Sequence, residues 1–302
     1  MNELRSCPAC FGERIEPWFS SPTTRRPDGP ETWHVWRCAD CLHGFMNPQP
    51  TWDELAPYYA SDYGPYATDH AATDLDDEAA TQRARRDGLL RHVPVSDGLR
   101  ILDFGCGGGW FLRIANRLGA RGVGVEPSSV GVARARESGL EVFEGTLDQF
   151  LESGWDGEPF DLVTANHVLE HTPEPEDTLT RLRSLVSPAG TIWLAVPNAQ
   201  SWAFSRLRAQ WYSVDVPYHL HHFVPQSLEL VAERAGLKVR RRSTHSLPRA
   251  LAASFALYLR HRYLLPRTLT TKLGVDRWLT GRFGPQFDGQ DRGEAIHLEL
   301  GR

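Results

Sequence analysis

Four of the five cysteines fall within the first 41 residues, as Cys7-Pro-Ala-Cys10 and Cys38-Ala-Asp-Cys41. Each C-x2-C pair sets two thiols on one tight turn, and two such turns can close a tetrahedral four-sulfur site around Zn2+. Such a site has no open position for chemistry, so Cys7, Cys10, Cys38 and Cys41 are expected to hold a structural zinc. A second group is the turn "ILDFGCGGGW", which places Asp103 ahead of Gly105, Gly107 and Gly109. Glycines there let the backbone approach a ligand and take positive φ angles. Trp110 stands where a dinucleotide fingerprint needs a small residue, and a carboxylate before the glycines opposes a pyrophosphate. The pattern suits a cationic ligand or one offering an amine. Glu126 follows 23 residues after Asp103, where a strand-end acid can accept two hydrogen bonds from ribose hydroxyls.

The third group is "YHLHHF", with His219, His221 and His222. It admits a general base, a metal site for neighbouring oxygens, or a structural cluster capping the helix that opens at Pro225. Asp215 is the one nearby acid, short of the set that Mg2+ or Ca2+ requires, so His219 or His222 is favoured as the base. Tyr58, Tyr59, Tyr63 and Tyr66 have two readings. They can fold as a lid that excludes water and meets the substrate, with His221 beside Tyr59 and Tyr63, or they can pack the cysteine segment on the core.

These groups need elements to position them. "LRILDFG" reads as a buried strand, "WFLRIANRLG" as an amphipathic helix, "ARGVGVEP" as a strand and "SSVGVARARESG" as a helix. "LEVFEG", "PFDLVTANHV" and "GTIWLAVPN" continue the strands, with a helix near "PEDTLTRLRSLVSPAG". A helix at "PQSLELVAERAG" and strands at "LKVRRRST" and "EAIHLELG" complete the series. Strands alternating with helices of this length predict a parallel sheet with right-handed crossovers. Ahead of it, residues 31–38 suit a hairpin between the cysteine pairs, "FMNPQPTWDELAPYYASDYGPY" reads as a linker with one short helix, and "EAATQRARRDGLLRHV" as a further helix. The expected division is a zinc-binding module over 1–47, linker and lid helices over 48–92, and a catalytic domain over 93–302 with an insertion about 248–292.

The motifs "LDFGCGGG", "GVEP", "FEGTLDQF" and "FDLVTANHVLEH", in that order, resemble those of the class I S-adenosylmethionine-dependent methyltransferases. The resemblance spans roughly residues 85–245. It implies a Rossmann-like α/β fold, mostly parallel with an antiparallel last strand, and S-adenosyl-L-methionine as cofactor. It further implies Asp103, Gly105, Gly107 and Gly109 beside the methionyl part, and Glu126 with Pro127 at the ribose. Thr146 and Leu147 would lie beside the adenine, with Asn166 and His167 at the end of the fourth strand. His171 matches the family's "EH" after that strand; a polar role at the helix entry is the favoured reading, and it is also a further catalytic candidate. The cysteine pairs, "FMNPQP", "ELAPYY" and "DVPYHLHHFVPQSLELVAERAGL" together resemble a bacterial subgroup linked to methylation of sugars, glycans or secondary metabolites. Deoxysugar C-methyltransferases of this kind carry a further large C-terminal domain. The expectation here is methyl transfer to a small-molecule or saccharide acceptor, at oxygen, with a His base. The alternatives are a C-methyltransferase of a nucleotide-linked sugar, an RNA or protein methyltransferase, and a non-catalytic cofactor-binding scaffold.

Composition narrows the field. With 302 residues, 41% hydrophobic and 24% charged, the chain can bury a sizeable core. The net charge of -5 opposes a nucleic-acid partner held by non-specific contacts. The start shows no apolar leader, and no run of about 18 apolar residues reads as a membrane span, so a cytoplasmic location is expected. The segment 248–267 is apolar with interspersed arginines; it admits peripheral membrane contact, although packing on the core or against a second copy is the commoner use.

Overall fold

A computed structural model describes residues 1–23, 31–59, 77–87, 89–155, 157–246, 253–254 and 286–302. The first elements are strands β1 (Ile15–Pro22) and β2 (Thr32–Cys38), paired antiparallel, then β3 (Gly44–Met46). Helices α1 (Trp52–Leu55) and α2 (Asp77–Asp87) follow. The alternating series then begins with β4 (Arg100–Phe104), α3 (Trp110–Arg117), β5 (Arg121–Glu126), α4 (Ser129–Glu137) and β6 (Glu141–Glu144). It continues through α5 (Leu147–Glu152), β7 (Phe160–Asn166), α6 (Pro175–Leu185) and β8 (Val186–Pro197). After α7 (Trp202–Leu207) come β9 (His221–His222), α8 (Pro225–Arg234), β10 (Lys238–His245) and β11 (Ala295–Gly301).

Seven strands form one sheet in the order β10-β11-β8-β7-β4-β5-β6. The pairs from β6 to β8 are parallel, while β11 runs antiparallel to both β8 and β10. This is the expected Rossmann-like sheet with one reversed strand. Its central strands are apolar on both faces because both are covered. Leu102, Val163, Leu194 and Leu298 lie in one cluster with α6 and α8, and Ile101, Leu162 and Trp193 in another with α3 and α4. Parallel strands buried on both sides need such continuous apolar runs. Local signals set the helix starts: Ser128 caps α4 by accepting from Gly131 N, and Thr146 and Gln149 form a capping box on α5. Pro175 occupies the first turn of α6, where its missing N–H costs nothing.

The second sheet departs from the sequence reading. Its order is β1-β2-β3-β9, so two residues of the histidine segment complete the sheet that carries the cysteines. Phe45 pairs with His221 and Gly44 with His222. A Cβ at Gly44 would lie 2.7 Å from Trp18 Cζ3 and 3.0 Å from His222 Cβ, so glycine is what permits this approach. The segment "GFM" reads as linker in the sequence because three residues carry no periodicity, and its partner strand lies about 175 residues further on.

Tyr63 and Tyr66 lie outside the described residues, as do the segment 248–267, apart from residues 253–254, and most of the insertion 248–292. Among the described residues no helix is long and apolar enough to cross a membrane.

Candidate active site

The carboxyl ends of β4, β5 and β7 converge on the glycine turn, the side of a parallel sheet where ligands bind. Gly105, Gly107 and Gly109 have φ of 71°, 55° and 76°. A Cβ at Gly105 would sit 2.4 Å from Val168 Cγ2, and one at Gly109 2.2 Å from Leu140 Cδ1. Both positions therefore exclude any other residue by backbone and by space. Asp103, one residue before the end of β4, is 4% exposed, and Thr164 Oγ1 donates to its Oδ1 at 2.6 Å. Burial pushes its pKa up to about 7; the Thr164 hydrogen bond offsets part of this, and the nearby Glu126 adds to it. Glu126 is also buried, accepting from Gly107 N at 2.9 Å and from Ser128 N at 2.8 Å. Its two oxygens offer about four lone-pair sites, so hydroxyl donors can still be accepted.

The remaining cofactor candidates surround this pair. Pro127 is exposed directly after Glu126, and Gly145 N donates to Glu126 O at 3.0 Å. That bond brings exposed Thr146 and buried Leu147, at the start of α5, next to the same strand end. Asn166 is exposed at the end of β7, and His167 follows it with φ of 57°, anchored by its N–H to Ala195 O. The structure thus brings together Asp103, the three glycines, Glu126, Pro127, Thr146, Leu147, Asn166 and His167 around one sheet edge. A desolvated acid beside a backbone cradle, with a second acid at ribose distance in sequence, fits a ligand bearing positive charge and a nucleoside. S-adenosylmethionine has both features.

The histidines divide into two environments. His219 and His171 face each other, with ring centroids 4.7 Å apart and planes at 81°. His219 Nδ1 lies 2.9 Å from Ser213 O, which can only accept, so Nε2 carries the lone pair. That Nε2 is 3.8 Å from Glu170 Oε1 and 3.9 Å from Asp215 Oδ2. His171 Nδ1 meets Tyr218 O at 2.9 Å and Tyr59 Oη at 3.0 Å. Burial holds the His219 pKa well below its usual 6.5, with further lowering from His171 and His222. Glu170 is fully buried, its two carboxylate oxygens have no hydrogen-bond partner among the described residues, and His167 Nδ1 is 3.3 Å away. Ligand atoms of Glu170, His171 and His219 all lie within 4.8 Å of one another, close enough to hold a metal ion.

His221 and His222 sit in β9 instead. His221 Nδ1 is 3.1 Å from His43 Nε2, and its Nε2 is 3.3 Å from Pro173 O. With both rings neutral, Nε2–H of His221 donates to Pro173 and its Nδ1 accepts from His43. Burial keeps them neutral, lowering His221 to about 4 and His43 well below 6.5. His222 is buried with Phe19 at 5.9 Å between ring centroids, and its Nε2 has no hydrogen-bond partner. The sequence reading left His43 aside. Nothing in its spacing shows a partner 178 positions away.

At the far side of β3 the four cysteines cluster. Cys7 and Cys41 Sγ are 3.5 Å apart, as are Cys10 and Cys38, and all four lie within 4.8 Å of one another. A tetrahedron with 2.3 Å metal–sulfur bonds has edges of about 3.8 Å. Backbone N–H groups of Ala9, Gly12 and Asp40 each donate to a sulfur at 3.4 Å, which favours thiolates. The hydrogen bond from Cys7 draws Cys41 down to about 6, while the same bond and burial raise Cys7, and burial raises Cys10 to about 11. The cluster can form a metal-binding knuckle.

Residues 72–241 match the family described as a methyltransferase domain. The chain belongs to this family of S-adenosylmethionine-dependent methyltransferases. A ubiquinone biosynthesis O-methyltransferase of Maricaulis maris is 33% identical over 172 residues, covering 51% of this chain and 67% of that protein. One of Cereibacter sphaeroides is 34% identical over 152 residues, covering 47% and 61%. The human mitochondrial ubiquinone biosynthesis O-methyltransferase is 27% identical over 273 residues, covering 78% and 69%. The chain thus spans about three-fifths to two-thirds of the curated relatives it matches. A crystallised S-adenosylmethionine-dependent methyltransferase from Archaeoglobus fulgidus has a TM-score of 0.51 at 16% identity, covering 79% of this chain and 100% of that one. That likeness concerns the fold.

Proposed function

We propose that this methyltransferase acts on a hydroxyl oxygen of a small acceptor, with His219 and His171 handling the proton. S-adenosylmethionine, when bound, supplies an electrophilic methyl group on a sulfonium. The chain's residues do the rest. Asp103 and the glycine turn hold the methionyl end, Glu126 and Pro127 the ribose, and Thr146 and Leu147 the adenine, with Asn166 and His167 closing the edge of β7. The observation that carries the oxygen reading is the His171–His219–Glu170 group beside this edge. A neutral His219 with a free Nε2 is ready to take a proton, and buried Glu170 stabilises the imidazolium that forms. His222, packed against Phe19, and His221, paired with His43, support this segment from behind. Tyr59, bonded to His171, covers it from the other side. The relatives named for O-methylation favour oxygen over nitrogen or carbon, and the subgroup resemblance extends the acceptor class to saccharides. The cysteine cluster, in the same reading, holds a structural Zn2+.

The test is release of S-adenosylhomocysteine by the purified chain with phenolic and saccharide acceptors, each beside its O-blocked and amino analogues. Turnover that requires a free hydroxyl supports the reading, and the productive panel assigns the acceptor class. Turnover only with amino analogues overturns it.

A second reading has its own observation, the buried Glu170 carboxylate, which accepts no hydrogen bond among the described residues and is faced by histidine nitrogens. Burying an anion without donors is costly, and a divalent ion on Glu170, His171 and His219 would remove that cost. Such an ion would bind the acceptor oxygen and lower its pKa. Activity abolished by a chelator and restored by one added divalent ion selects this reading. Chelator-resistant activity selects the His base.

A further inference from the structure

A second histidine cluster lies apart from the His171–His219 group. His92 follows the 3-10 helix Leu89–Arg91, His245 ends β10, and His297 lies within β11. Strand register pairs Ser243 with His297 and His245 with Ala295. His245 and His297 are therefore diagonal neighbours on one face of the sheet, with ring centroids 4.5 Å apart. His92 closes the group from a different part of the chain, 3.9 Å from His245 and 4.4 Å from His297. One ligand nitrogen from each ring lies within 4.8 Å of the other two.

What occupies the lone pairs is the question this packing raises. A neutral imidazole has one N–H and one lone pair. His245 Nε2 lies 3.1 Å from Ser243 Oγ, while its buried Nδ1 has no hydrogen-bond partner among the described residues. His297 is 9% exposed, and its Nδ1 is likewise buried and unpartnered among the described residues. Two unpartnered nitrogens in one cluster of three rings point to a missing electron-pair acceptor. His92, His297, Trp193, Arg241 and Ser243 also border a cavity of about 10 Å3, enough for one water-sized occupant.

We propose that His92, His245 and His297 form a metal site for Zn2+ or a chemically similar late first-row ion, with one coordination position open. Three imidazoles and no carboxylate in the triad select a borderline ion over Mg2+ or Ca2+. Ser243 is the outer partner: by accepting from Nε2–H of His245 it leaves Nδ1 as the ligand atom. Arg91 and Arg241 add positive charge close by and Glu299 borders the same cavity, so the open position suits a small ligand such as water or hydroxide. The site is independent of the oxygen-methylation reading, because none of its three ligands takes part in it.

The experiment is a Co2+ titration of the metal-stripped full chain, followed by visible and near-ultraviolet absorption and by metal analysis. Cobalt at the cysteine cluster shows sulfur-to-metal charge transfer; cobalt at a histidine triad shows only ligand-field bands. Wild type is expected to bind one equivalent of the second kind that both His245→Gln and His297→Gln lose. Cys7→Ser and His219→Gln should retain it. Ser243→Ala should weaken it about 10–100-fold, the usual effect of losing an outer partner. Unchanged Co2+ stoichiometry and spectra in both glutamine variants overturn the site. Should those variants lose their folded circular dichroism, Ser243→Ala decides, and unchanged Co2+ affinity there counts against the site.

Discussion

Asp103 shows how one residue's burial becomes a binding property. Its pKa of about 7 means that the carboxyl is largely protonated below that pH in the free protein. A ligand bringing positive charge favours the ionised form, so binding must release a proton at low pH. S-adenosylmethionine affinity should therefore rise as pH increases toward 7 and level off above it, by at most about tenfold per unit. Calorimetry from pH 5.5 to 8 checks this, and Asp103→Asn should flatten the profile. Glu126→Ala should weaken the cofactor far more than any surface change, by about 10-fold or more for the loss of a charge-assisted hydrogen-bond acceptor. It also leaves Gly107 N and Ser128 N without their acceptor. Equal affinity in this variant would remove Glu126 from the site.

At the scale of elements, the three-residue strand β3 has consequences beyond its length. It pairs with β2 on one side and with β9 on the other, and β9 begins two residues after His219. Gly44→Val would force side-chain atoms into Trp18 and His222. Overpacking of this kind costs about 1–3 kcal/mol. The expected result is a lower melting temperature together with reduced kcat, while affinity for the cofactor, whose candidate residues lie on the other sheet, stays near wild type. Loss of cofactor binding alone, with kcat intact, would contradict that division. The turn before α3 is as exacting: Gly109→Ala meets both a left-handed backbone and Leu140, so its thermal midpoint should fall by several degrees.

For the whole molecule, titration is set by the histidines. His43, His92, His219, His221, His222, His245 and His297 all have pKa values below 6.5, chiefly because burial disfavours the charged ring. In the unfolded chain they would take up protons near 6.5. Stability from them is present above that pH and is lost as pH falls through about 6.5 toward their folded values. Asp103 and Asp288, whose pKa values are raised, oppose the trend but are fewer. Thermal midpoints should therefore drop steeply between pH 6.5 and 4, a profile that scanning calorimetry can establish. A protein equally stable at pH 4.5 and 7 would show that these rings are not buried neutral. Removing the zinc proposed for the cysteine cluster should act at the same scale. Cys7→Ser is expected to lower stability and, through β2, β3 and β9, the methyl-transfer rate.

Much of this was legible in the sequence because the signals are local. Apolar runs on alternating elements predict the sheet, and the glycines of the turn, the acids at the ends of β4 and β5 and the cap at Thr146 all lie within a few residues of the structure they specify. The two C-x2-C pairs likewise announce their clustering, since each turn sets its own thiols. What only the tertiary structure decided rests on partners far apart in the chain. That β9 completes the cysteine sheet, that His43 meets His221, and that His92 joins His245 and His297 all depend on long-range pairing without periodicity. The histidine segment carries the clearest example. Sequence places three histidines together and leaves base, metal and structural roles open, because side-chain chemistry is the same for each. The fold separates them, turning His219 toward Glu170 and Asp215 and burying His221 and His222 in a strand. All three rings are buried; their neighbours, which residue type does not reveal, are what distinguish them.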